Sequence, residues 1–364
     1  MDPRIREHAD IIVEHSTDLQ AGENVVIDAH PVAEDLVVAL HERIADVGAN
    51  PLVVSERTGT RFRRAYLRNH EGDFDFPDHQ MALYEAMDVY IAIRASDNVS
   101  QTSDIDPETT REYDQVTQPI LEERLGKTWC LTQFPAAANA QLAEMSTEEY
   151  ESFVWDATIR DWDEQREFQS HMVDILDPAS EVRIVSGEET DVTMSVEGMT
   201  TLNDYGEANL PGGEVFTAPV PDSVEGTVYF DKPVYQQGRE ITDVRVTFEG
   251  GRVVEHSAAK NEDVLTNILD TDEGARRLGE LGIGMNRGID RFTYNMLFDE
   301  KMGDTVHMAV GRAYDDCVGE GREKNESAVH VDMIVDMSED SFIEVDGEVV
   351  QRDGTFRFED GFSQ

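Results

Sequence analysis

The chain has 364 residues, 39% of them hydrophobic, and 77 acidic against 30 basic side chains, a formal charge of −47 at pH 7. That balance repels phosphate backbones, and no basic patch with interleaved aromatics offsets it, so nucleic acid is excluded as a partner. No apolar run approaches the roughly 18 residues of a membrane span, and residues 1–8 lack the apolar core of a signal peptide, so a cytoplasmic location with no membrane partner is expected.

So large an acidic excess predicts a surface tuned to concentrated salt, where the Debye length falls to about 3 Å at 1 M and self-repulsion is screened. A halophilic protein is expected. Carboxylates are then too common to mark a site, and the ten histidines carry most of the ligand information. Cys130 and Cys317 lie far apart with no C-x-x-C between them, which predicts reduced, structural thiols.

Taken in chain order, residues 25–29 predict a strand, 33–47 a helix stopped by Gly48, and 51–55 the next strand, together a βαβ unit. The apolar runs at 88–93 and 128–132 read as further buried strands. The first half is therefore expected to be an α/β domain, a mainly parallel sheet with flanking helices. No G-x-G-x-x-G follows the first strand, so nucleotide binding has no support. Residues 144–175 read as helical and link the halves, with the boundary placed at 178 beside Pro178, giving domains 1–178 and 179–364.

From 181 onward hairpins dominate: 182–185 with 190–196, 244–248 with 252–256, and 341–345 with 348–350. A helix is predicted over 261–281, with Gly282-Ile283-Gly284 as its stop and turn. The second domain is thus expected to be α+β and mostly antiparallel.

Two strand-like segments in it carry isolated histidines. In 329–335, His330 and Asp332 project from one face while Val329, Val331, Met333 and Val335 face a core; in 305–310, His307 opposes Val306, Met308 and Val310. An imidazole and a carboxylate on one face of a stiff strand suit a divalent metal. Glu214 stands between a Pro-Gly-Gly turn and an apolar β segment, an odd place for a surface charge. Glu280 is read as ending the 261–281 helix, where the macrodipole disfavours an anion and a compensating cation would explain it. Asp299-Glu300 precedes the His307 strand as either an extra ligand or a solvated turn.

The phrases Pro-Gly-Gly-Glu-Val-Phe-Thr-Ala-Pro (211–219), Leu-Gly-Glu-Leu-Gly-Ile-Gly (278–284), Phe-Asp-Glu-Lys-Met-Gly-Asp-Thr-Val-His-Met-Ala-Val-Gly-Arg-Ala-Tyr (298–314) and His-Val-Asp-Met-Ile (330–334) resemble the thermophilic-type metallo-aminopeptidases, the group of aminopeptidases T and S. The resemblance implies a two-metal aminopeptidase that removes N-terminal residues from peptides. Its ligands would be Glu214, Glu280, His307, His330 and Asp332, with Tyr314 close to the reacting centre. It further implies zinc, cobalt or another divalent ion, and a homodimer. Glu280 or Asp332 would bridge the ions, and Glu280 or Glu300 would carry the proton to the leaving amine. Another dinuclear hydrolase, or a non-catalytic acidic metal-binding oligomer, is the alternative; paired histidines argue against calcium.

Overall fold

The computed structural model describes residues 1–55, 61–236 and 239–363. The chain divides into two compact units, Met1–Arg160 with Gly206–Gly212, and Asp161–Tyr205 with Gly213–Gln364. The division falls at Arg160 and not at 178, because Met172 and Leu176 pack into the core of the second unit.

In the first unit the elements run α1 (Pro3–Ile11), β1 (Asn24–Ala29), α2 (Glu34–Val47), β2 (Asn50–Val54), α3 (Arg61–Asn69), α4 (Asp78–Glu85), β3 (Val89–Arg94), α5 (Pro107–Leu125), β4 (Thr128–Gln133), α6 (Ala137–Leu142) and α7 (Thr147–Thr158). The strands form a parallel sheet in the order β2-β1-β3-β4, joined at the edge by Asn209–Leu210, β8 in chain order. Five of the six β1 residues are buried, as both-sided cover of a parallel sheet demands. Helix α2 buries Leu36, Ala39, Leu40 and Ile44 along one stripe and ends at Gly48, whose φ of 86° is the left-handed conformation that glycine adopts without strain.

The second unit holds α8 (Trp162–Leu176), α9 (Glu262–Leu269), α10 (Met296–Asp299) and antiparallel sheets. One runs β14 (Arg252–Ser257), β13 (Val244–Glu249), β10 (Glu225–Phe230), β6 (Thr190–Ser195), β5 (Glu181–Ser186), β18 (Ser341–Val345), β19 (Glu348–Arg352), β20 (Thr355–Phe356). A two-stranded ribbon pairs β11 (Val234–Gln236) with β12 (Arg239–Ile241). The third sheet runs β17 (His330–Asp336), β16 (Thr305–Gly311), β15 (Leu278–Gly284), β9 (Glu214–Thr217), β7 (Leu202–Asp204). One apolar core gathers Val182, Ile184, Val228 and Val246 from the first of these sheets, Leu281, Val306, Met308 and Met333 from the third, and Leu265 and Leu269 from α9. Each such side chain contributes roughly 1.5–3 kcal/mol by leaving water.

Two helical expectations change. The 144–175 stretch is two helices, because Ser146 and Asp161 each cap a new N-terminus, accepting from the backbone N–H of Glu149 and Glu164. Helix α9 ends at Leu269, and Leu278–Gly284 is a fully buried strand, so Glu280 ends no helix and Gly282-Ile283-Gly284 is not a helix stop. Glu280 therefore meets no helix macrodipole. Here the glycines alternate with Leu281 and Ile283 at the two-residue period of a strand, and they serve close approach of neighbouring groups.

Candidate metal centre

The third sheet of the second unit has two unlike faces. Residues directly opposite one another in an antiparallel pair share a face, and here Asp204, Glu214 and Gly284 form one row; Leu202, Phe216, Gly282, His307 and Ile334 form the next; Glu280, Ala309 and Asp332 form a third; Gly311 and His330 a fourth. The opposite face carries Val215, Leu281, Ile283, Val306, Met308, Val310, Val331, Met333 and Val335, all in the core. The apolar alternation of four strands therefore drives Glu214, Glu280, His307, His330 and Asp332 onto a single surface.

Small residues between them make room. A Cβ on Gly282 would overlap the His307 ring, so only glycine lets that imidazole lie across β15. Gly213 (φ 120°) brings the chain against Asn286 and delivers Glu214 at the start of β9. From α8, the Gln169 side-chain amide donates to the backbone oxygens of Glu214 and Asp204, each at 2.9 Å, and fixes the outer strands.

The donor atoms converge. His307 Nε2 lies 3.2 Å from Glu214 Oε2 and 3.3 Å from Glu280 Oε1. His330 Nε2 lies 3.4 Å from Glu280 Oε2 and 3.4 Å from Asp332 Oδ1. Ligands held 2.0–2.1 Å from a tetrahedral ion are about 3.3 Å apart, so these spacings fit two ion sites that share Glu280. Among the described residues, two groupings each bring their donor atoms within 4.8 Å of one another: Glu214, Glu280 and His307, and Glu280, His330 and Asp332. His330 Nδ1–H donates to the Arg312 carbonyl at 2.8 Å, which leaves the Nε2 lone pair facing the carboxylates, the tautomer a metal ligand needs. Among the described residues Glu214 Oε2 and Glu280 Oε2 are buried without a hydrogen-bond partner, an arrangement a cation at this face would relieve. Imidazole with carboxylate suits zinc, cobalt or manganese.

The electrostatics of the ion-free cluster follow from crowding. Burial pushes Glu214 up to about 8, against the pull of Lys301, and raises Glu280 as well. His307 rises to about 10 because Glu280 and Glu214 outweigh its desolvation, and His330 to about 9 for the same reason with Asp332. Asp332 stays below the usual carboxylate range: burial acts to raise it, but the hydrogen bond and charge of His330 prevail.

Tyr314 is 47% exposed and its ring sits 4.8 Å from that of His330 and 6.2 Å from that of Phe216. Burial of its hydroxyl, then the charges of Glu280 and Asp332, raise its pKa, so it remains a proton donor. Glu300 follows α10 and is paired with Lys301. Lys301 itself was not anticipated. It is 0% exposed, 3.0 Å from Glu214 Oε1 and 3.6 Å from Asp204 Oδ2. One of only five lysines in the chain, placed directly after Asp299-Glu300, it offered a scarcity signal of the same kind as the histidines.

The family described as thermophilic metalloprotease (M29) matches residues 1–357. Aminopeptidase 2 of Geobacillus stearothermophilus is 26% identical, the match covering 97% of each chain. Aminopeptidase T of Thermus aquaticus is 41% identical over 40% of this chain and 37% of its own. The solved structure of wild-type AmpT from Thermus thermophilus has a TM-score of 0.86 at 25% identity, covering 98% of this chain and 99% of that one. A 2,5-dihydroxypyridine dioxygenase from Pseudomonas putida KT2440 shares the fold alone, with a TM-score of 0.61 at 14% identity.

Proposed function

From the premise that the chain belongs to the thermophilic metalloprotease (M29) family, we propose that it is a metal-dependent aminopeptidase working through two divalent ions held by Glu214, Glu280, His307, His330 and Asp332. The observation that carries the two-ion reading is Glu280, whose two oxygens face different histidines, Oε1 toward His307 and Oε2 toward His330. When bound, such a pair polarises the scissile carbonyl and makes water a nucleophile near neutral pH.

The chain's own residues supply the rest. Tyr314, half-exposed beside His330, donates its hydroxyl proton as a hydrogen bond to the oxygen on which negative charge develops. Glu280 spends both oxygens between the histidines, so Glu300 is the better proton carrier; it lies close enough to act on the ionisation of both Tyr314 and Glu214. Lys301 occupies Glu214 Oε1 and leaves Oε2 directed at His307. Carboxylates around the face attract the free α-amino group of a peptide, which favours removal of N-terminal residues.

Zinc or cobalt is the ion this donor set favours, and the acidic surface supports a halophilic, cytoplasmic enzyme; the family resemblance supports a homodimer, which light scattering checks. The deciding experiment is release of free amino acids from dipeptides in concentrated KCl, with an aryl phosphate as the rival substrate. Peptide hydrolysis that is lost with a chelator and in His307→Ala supports the reading; activity that survives both sinks the metal assignment.

A further inference from the structure

The metal-bearing face of the third sheet carries an apolar patch beside the donor atoms. Leu202 and Phe216 stand opposite each other on β7 and β9, in the row that runs through Gly282 to His307. Phe216 is thus two strand spacings from His307, roughly 10 Å, and glycine adds no side chain between them. Tyr314 joins the patch to the centre: its ring meets that of Phe216 edge-on at 6.2 Å and that of His330 at 4.8 Å. All these residues belong to the second unit.

The patch is built the opposite way to a core. Ala218, Ala313 and Cys317 are buried, at 1% exposure each, while the larger Leu202, Phe216 and Val318 are only partly buried around them. A sealed core hides its largest side chains, since burying apolar area is what stabilises it. Small side chains below and large ones at the rim leave an apolar depression. Its floor is fixed by the backbone: the Cys317 carbonyl accepts from the Thr200 N–H at 2.9 Å, and the Ala313 N–H donates to the Asn325 carbonyl at 3.0 Å. Gly319 lies so close to Gly198 that a Cβ there would overlap the Gly198 carbonyl oxygen. Burial, then the charge of Glu280, raises the Cys317 thiol, so the floor stays uncharged beside the carboxylates.

Given the aminopeptidase reading, on which this step rests, we infer that the depression receives the side chain of the substrate's N-terminal residue, so that leucine and phenylalanine are preferred there to alanine or glutamate. The α-amino group is drawn to the carboxylates, and the side chain on the same Cα comes to lie against Leu202, Phe216 and Val318. An apolar pocket separates side chains that differ by one methylene by roughly 10–200-fold. A glutamate side chain gains none of this and meets the charges of Glu214 and Glu280.

The test measures kcat/KM of the metal-loaded full chain for Leu-Gly, Phe-Gly, Ala-Gly and Glu-Gly in concentrated KCl, and in parallel the binding of leucinol and alaninol, amino alcohols with no scissile bond, by calorimetric titration. Leu-Gly and Phe-Gly are expected to exceed Ala-Gly by about tenfold or more, with Glu-Gly lowest, and leucinol to bind about tenfold more tightly than alaninol. Val318→Asp should bring the Leu-Gly to Ala-Gly ratio below about twofold, and Ala218→Leu, which fills the floor, should cut Phe-Gly about tenfold more than Ala-Gly. These ratios compare two substrates on one folded enzyme, so a variant that merely loses stability leaves them unchanged; if one variant fails to fold, the other decides. Wild-type ratios within about twofold, or ratios unmoved by the substitutions, overturn the inference while the aminopeptidase reading stands. Hydrolysis of none of the dipeptides sinks that reading instead, and the leucinol to alaninol ratio then decides the depression alone.

Discussion

His8 in the first unit and His307 in the second are both enclosed, at 0% and 1% exposure, yet they are pushed in opposite directions. His8 Nε2 lies 2.7 Å from Thr132 Oγ1 and its ring meets the Trp155 ring edge-on at 5.4 Å, so burial alone holds it neutral and lowers it to about 3. His307 is walled by Glu280 and Glu214 and rises to about 10. Burial is common to the two; the neighbours differ. Around His8 the contacts shown are a hydroxyl and an indole, and burial neutralises the ring, whereas the antiparallel sheet around His307 assembles opposing charges on a face its core does not need.

The sharpest test of that contrast is a pair of substitutions. His307→Ala should lower kcat/KM for a dipeptide by about 10³-fold or more, the order expected when metal chemistry is lost, while His8→Phe should leave it within about threefold; equal losses would erase the distinction. Next comes Lys301→Met, which strands Glu214, Glu300 and Asp204 without their buried cation. A loss of about 3–5 kcal/mol in unfolding free energy is expected by denaturant titration, partly recovered by adding Glu214→Gln. An unchanged midpoint would show that Lys301 is not the counter-charge. Gly282→Ala should keep the fold while displacing the His307 ring, weakening zinc affinity by roughly 10–100-fold by competitive titration.

The smallest effect belongs to pH. An unfolded His8 takes up its proton near 6.5, but the folded one does so only near 3. The unfolded chain therefore binds more protons between these values, and stability falls as pH drops through the window, by up to roughly 1.4 kcal/mol per unit. His8→Phe should flatten that slope; an identical slope in the variant would place the acid sensitivity elsewhere.

Period-two alternation made His307, His330 and Asp332 legible in the sequence, since it also predicts which face each takes. The strands of the parallel sheet were legible as apolar runs, and α2 as a stripe ending in glycine. Glu280 stands out in the sequence as an anion at a helix end, a premise that the buried strand 278–284 removes, and again through its family phrase. Glycines inside 278–284 read as breakers when only the local chain is considered; their reason is the His307 ring and the neighbouring backbone, which lie far away in sequence. Lys301 and Gln169 act through tertiary contacts that no spacing encodes. The break at residues 159–161 was visible in principle, because Ser146-x-x-Glu149 and Asp161-x-x-Glu164 are both N-capping patterns.

The central claim is that one sheet face holds two ions through a shared Glu280. Metal content per chain, measured after exhaustive dialysis alongside dipeptide hydrolysis, addresses it most directly. Two ions per active wild-type chain are expected, and at most one in an inactive, folded Glu280→Gln. Full activity with a single ion, or two ions retained by Glu280→Gln, would contradict it.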